Sequence, residues 1–164
     1  MIYHLPKAIE DPKDYDTRAE LMWLCKIAHD DSLGVGRSGD FASHLIAHEI
    51  SAYYDETHGA TLSIIYPAWM KHVYQNNLGR FVRFAREVWG VDGPLEDDEA
   101  VALEGIRRME EFLKRVGLPV RLSELEEKVE RLDEMAERCT AGGPVGGMVP
   151  LKKEDVLRIY QSAH

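Results

Sequence analysis

The sequence predicts an all-α protein, and three observations carry that prediction. Apolar residues recur at three- and four-residue intervals through most of the chain, no segment shows the alternation of a half-buried strand, and glycine and proline gather between the periodic stretches. Together they imply a helical bundle of seven or eight helices with no sheet. A chain of 164 residues suits a single domain, with roughly 70% of its unfolded surface removed from water on folding.

The elements follow in order. Asp14 and Asp16 introduce a helix from Thr17 to about His29, in which Leu21, Leu24 and Ala28 share one stripe and Met22, Cys25 and His29 an adjoining one. Ser32 to Gly39 carries three glycines and reads as a hinge-like, partly helical connection. Asp40 stands where a carboxylate can accept from the free amides of the next helix, Phe41 to about Tyr54. Asp55 to Thr57 breaks that helix. His58 to about Tyr74 is nearly all apolar, which predicts a helix buried on most sides with a kink at Pro67.

Phe81, Phe84, Ala85 and Val88 predict a shorter amphipathic helix ending at Trp89 and Gly90, before a loop from Val91 to Pro94. Ala102, Ile106, Met109, Leu113 and Val116 predict a longer one. Leu122, Leu125, Val129, Leu132 and Met135 continue the same spacing and predict another. The Glu and Arg residues between these positions read as a solvated face rather than a partner-binding one. A Gly/Pro loop from Ala141 to Pro150 then leads to a last helix, about Lys153 to Ser162.

Charge narrows the function. Twenty Lys plus Arg against 29 Asp plus Glu give a net charge of −9, a field that repels phosphate backbones and anionic lipids. Neither nucleic acid nor a membrane is an expected partner. Cys25 and Cys139 are far apart and form no CxxC pair, and the first residues do not resemble a signal peptide. A reduced, cytoplasmic setting is the expectation.

Two motifs could carry chemistry. Gly34, Gly36 and Gly39 spell GVGRSG, a literal match to the dinucleotide-binding fingerprint. That fingerprint requires a strand before it and a βαβ unit around it, and here the flanks have helical period, so an interhelical turn is the simpler reading. The second motif is DFASHLIAHEISAYYDETH, which holds three of the seven histidines. His44 and His48 lie one turn apart on one helix face, and His58 opens the next helix after a tight turn, so the three could meet around a divalent ion. Hydrogen-bonded or solvated histidines show the same spacing. Glu49 follows His48 with no histidine three residues on, which excludes the HExxH pattern.

The longer run DFASHLIAHEISAYYDETHGATLSIIYPAWMKHV resembles the signature of the iron-containing alcohol dehydrogenases, especially their butanol dehydrogenase branch, where the usual form is close to DWATHxxxHELSAxYDxxHGxxLAIxxPAWM. The likeness extends to LPKAIEDPKDYDTRAELMW before it and to RFVRFAREVWGV, VGLPVRLSE and GGMVPLKKEDVLRIYQSA after it.

The resemblance implies a set of expectations. Residues 1–164 correspond to the later part of that family's C-terminal helical domain, without its N-terminal dinucleotide-binding domain and without the first helices, whose aspartate and histidine complete the metal's ligands. His44 and His58 match two metal-ligand histidines. His48 matches a histidine near the metal and nicotinamide that is associated with proton handling. The implied cofactors are a divalent metal, iron or zinc, and NAD(P) only where a nucleotide-binding domain completes the enzyme. The implied substrate is a small alcohol or aldehyde. Phe41 stands where Trp is usual, and Asp30 and Asp31 where Asn-Gly is common.

Asp40, His44, His48 and His58 could form a substitute ligand set, although an N-cap role explains Asp40 without a metal. Two expectations of different class remain open. The chain is the metal-binding part of a dehydrogenase, inactive alone and completed by a second polypeptide, or it is a non-enzymatic helical protein that self-associates as a homo-oligomer and keeps its histidines as vestiges.

Overall fold

The computed structural model describes residues 1–92, 97–126 and 128–164. Among them eight α-helices make the fold: α1 His4–Glu10, α2 Tyr15–His29, α3 Ala42–Tyr54, α4 His58–Val73, α5 Leu78–Trp89, α6 Asp98–Arg115, α7 Leu132–Cys139 and α8 Lys153–Ser162. The all-α expectation holds. The β content of the described residues is one isolated antiparallel bridge, Val145 to Leu151, inside the glycine-rich loop before α8.

Local chemistry sets most boundaries. The Asp14 carboxylate accepts from the Asp16 amide at 3.2 Å and starts α2, while Asp97 accepts from the Glu99 amide at 2.9 Å and starts α6. Asp55, in the left-handed region at φ 52°, ends α3. Gly90 ends α5 in the same region at φ 60°, and Arg108 on α6 donates to the last carbonyls there, Trp89 O at 2.9 Å and Gly90 O at 2.8 Å.

Helix α4 runs through the core. Ile64, Ile65 and Val73 on it are buried against Ile46 and Ile50 of α3, Ile106 of α6, and Ile159 and Tyr160 of α8. Pro67 sits within this helix among buried neighbours, where its missing N–H removes one helical hydrogen bond. Two polar contacts fix α3 within the bundle. The Tyr160 hydroxyl donates to Ile46 O at 2.7 Å, and the Ser51 and Thr61 hydroxyls lie 3.0 Å apart between α3 and α4. Helices α5 and α6 approach so closely that a Cβ at Gly105 would stand 2.7 Å from the Ala85 Cα.

Three expectations need correction. Helix α1 is absent from the sequence reading, because Pro6 disguised it; Pro6 falls in the first turn, where no helical N–H is needed. The helix expected over Leu122 to Met135 does not form. A 3-10 turn, Leu122–Glu124, opens that stretch, and α7 begins only at Leu132. Glu124 draws the Val120 and Arg121 amides to itself at 2.6 and 3.0 Å, and the Tyr54 hydroxyl accepts from the Glu130 and Arg131 amides at 3.1 and 3.2 Å. The Glu124 contacts box in the start of the 3-10 turn, whereas the Tyr54 contacts take two amides that a continuous helix would bond to carbonyls four residues back.

Helix α3 begins at Ala42 rather than Phe41. The loop expected from Val91 to Pro94 lies partly outside the described residues, and Val91 itself is buried. The GVGRSG segment joins α2 to α3 through a short 3-10 turn, Ser32–Gly34, with no strand before it, so it lacks the setting of a dinucleotide loop.

Candidate metal centre

The left-handed residue that ends α3 also makes the site. With Asp55 turning the chain and α4 starting three residues later, the first residue of α4, His58, returns beside the α3 face that carries His44 and His48. The rings meet in pairs. His44 and His58 have centroids 5.6 Å apart, His48 and His58 4.5 Å, and His44 and His48 6.5 Å. Phe41 stands edge-on to His44 at 5.8 Å.

Metal–nitrogen bonds of about 2.0–2.1 Å at a tetrahedral angle put two ligand rings about 5 Å apart, centre to centre. The His44–His58 and His48–His58 pairs, each with one ring from either helix, are both close to that spacing. The His44 and His48 pair is wider, and among the described residues no three His, Cys, Asp or Glu side chains are placed to hold an ion together. The structure gathers three imidazoles at the junction of α3 and α4.

Electrostatics favour the neutral form of His44 and His58. Burial lowers the pKa of His44 below the ordinary value, and His48 lowers it further through charge repulsion. Burial also lowers His58, with His48 and then His44 adding to it. The His44 Nδ1 is buried with no hydrogen-bond partner among the described residues, the kind of unsatisfied polar atom that an absent ion or group would explain. His48 and His58 are exposed, so the cluster lies on an open face.

Asp40 is not available as a substitute ligand. One carboxylate oxygen accepts from the Ala42 amide at 2.9 Å, and the other from the Gly147 and Met148 amides at 2.9 and 2.7 Å. Asp40 thus bonds the first amide of α3, although Phe41 and not Asp40 holds the N-cap position, and it stitches the start of α3 to the loop before α8. Sequence reasoning treated that loop as a connection only. Its signal was the run GGPVGG: at Gly146 a Cβ would stand 2.5 Å from Val149 O and at Gly147 3.1 Å from Gly39 O, so only glycine lets the loop close over Asp40.

Comparison with known proteins supplies a context for this geometry. The family described as Fe-containing alcohol dehydrogenase, C-terminal, matches residues 1–164. NADH-dependent butanol dehydrogenase A of Clostridium acetobutylicum is 35% identical over 160 residues, covering 96% of this chain and 41% of that protein. Probable NADH-dependent butanol dehydrogenase 1 of Bacillus subtilis is 37% identical over 158 residues, again covering 41% of its length. The crystal structure of NADH-dependent butanol dehydrogenase A from Thermotoga maritima superimposes with a TM-score of 0.91 at 37% identity, covering 99% of this chain and 42% of that one. The 164 residues thus span about two fifths of the length of these relatives.

Proposed function

Because the chain belongs to the iron-containing alcohol dehydrogenase family, as its C-terminal domain, we propose that it contributes His44 and His58 as two ligands of a catalytic divalent metal, iron or zinc. His48 stands beside them to pass a proton. The observation that carries this reading is the return of His58 from α4 onto the His44 face of α3.

The bound ion would supply Lewis-acid polarisation of an alcohol or carbonyl oxygen while hydride moves to or from NAD(P). This chain's own part is local. His44, half-buried, and His58, on the exposed edge, present ring nitrogens whose pKa values are lowered by desolvation and by the neighbouring histidines; His48, exposed beside them, is placed to pass a proton. The substrate class is a small alcohol or aldehyde.

Among the described residues no nucleotide-binding fold is present, and on this reading they supply two ligands, so activity calls for a nucleotide-binding domain and further ligands beyond these residues. The apolar surface of the first helices suits such a partner: Tyr15, Met22, Trp23, Leu33 and Val35 are exposed. The same surface favours a second reading, a self-associating protein without activity. Two unpaired cysteines fit a reducing cytoplasm, and no described helix is long and apolar enough to cross a membrane.

Titration with Zn²⁺ or Co²⁺ under anaerobic conditions tests the metal reading. His44→Ala and His58→Ala should each weaken binding by about tenfold or more while His48→Ala retains it; equal binding by all three variants would overturn it. The pure chain with NAD(P)H and butyraldehyde should show no turnover. Turnover should appear on mixing with the nucleotide-binding portion of a butanol dehydrogenase, and light scattering should distinguish that heteromer from a self-associated species.

A further inference from the structure

A cavity of about 670 Å³ lies between the loop before α3, the second half of α4 and the start of α5. None of the three site histidines lines it. Its volume is in the range of small-molecule sites, about 300–1,000 Å³.

Four aromatic residues make the apolar part. Tyr66 and Trp69 on α4 stack at 5.6 Å with an interplanar angle of 11°, and Phe81 and Phe84 face in from α5. Neighbouring rings hold both phenylalanines: Tyr74 meets Phe81 edge-on at 6.5 Å, and Trp89 meets Phe84 at 6.2 Å. The platform is therefore preformed, which lowers the entropy lost on binding a flat ligand.

Arg37, on the loop, and Arg80, in the first turn of α5, make the polar part. In a chain of net charge −9 many arginines sit on carboxylates, as Arg83 does on Glu87 at 2.9 Å and Arg108 on Glu104 at 2.8 Å. Arg37 and Arg80 have no such ion pair among the described residues. Asp40, the single acid of the cavity wall, faces away from this duty because both its oxygens are already bonded to backbone amides. Two exposed guanidiniums with no ion-pair partner among the described residues thus line one aromatic cavity, an arrangement suited to a carboxylate met by planar donors while its apolar body lies against the rings.

We propose that this cavity binds a small organic anion with a planar apolar body, an aryl carboxylate in the simplest case. The site is separate from the histidine cluster and does not require the metal reading. Calorimetric titration of the full chain in the presence of chelator tests it, with benzoate as probe, benzamide as the uncharged ring and acetate as the ringless charge.

Benzoate should bind saturably and at least about tenfold more tightly than benzamide or acetate. Arg37→Ala and Arg80→Ala should each weaken benzoate by about tenfold, with part of the affinity restored in Arg80→Lys, and far-UV circular dichroism should show all variants folded. His44→Ala should leave binding unchanged. Absence of saturable benzoate binding, equal binding of benzamide, affinity that survives both alanine variants, or loss of binding in His44→Ala would each overturn the proposal.

Discussion

Helices α2 and α4 are of similar length and both were legible as helices, yet they differ in what they bury. Of the sixteen residues of α4, nine are buried; of the fifteen of α2, only Thr17 is. Met22 and Trp23 on α2 are 73% and 59% exposed, whereas Trp69 on α4 is 8% exposed. The comparison teaches that apolar periodicity specifies a face and leaves its partner open. For α4 the partners are α3, α6 and α8; for α2, within these residues, they are α1 and the turn that follows.

That contrast can be broken by substitution. Ile106→Ala on α6, a fully buried position, should cost about 2–5 kcal/mol in a urea titration, while Trp23→Ala should stay within about 0.5 kcal/mol. Comparable losses would mean that α2 has a partner in solution, such as a second copy. Gly105→Ala should lower stability by about 1–3 kcal/mol, because Ala85 leaves no space for the added methyl, and a fall in thermal midpoint with unchanged helical content would register it.

Smaller effects sharpen the same distinction. Tyr160→Phe removes the hydrogen bond to Ile46 O that ties α8 to α3 and should cost about 1 kcal/mol. A pH effect is expected on the solvated side of the bundle. Arg107 first, then Arg108, holds the Glu104 carboxyl down to about 2 from an ordinary value of 4.5. Since the folded value lies below the unfolded one, this stabilisation is complete above about 4.5 and is lost as the pH falls toward about 2. Glu104→Gln should flatten that acid limb in a series of urea midpoints. Partial exposure makes it the least of these effects.

Much of the candidate site was legible too, and for a definite reason. His44 and His48 are one turn apart by helical geometry alone, and the break at Asp55 lies within the motif. The return of His58 was legible only as a possibility, because it depends on a left-handed residue and on how α4 docks against α3. The commitment of Asp40 to Gly147 and Met148 was not legible, since those residues lie more than a hundred positions away.

What the sequence by itself determined is local: helix periodicity, the start of α2 at Asp14, the exclusion of a sheet, and the identity of the histidine face. Each rests on interactions within a few residues, which recur wherever the pattern recurs. The tertiary structure alone decided that Leu122 to Met135 is interrupted, because Tyr54 reaches amides 76 and 77 residues further along. It also decided which apolar faces find a partner. Such contacts depend on where distant segments come to lie, and no spacing in the chain records that.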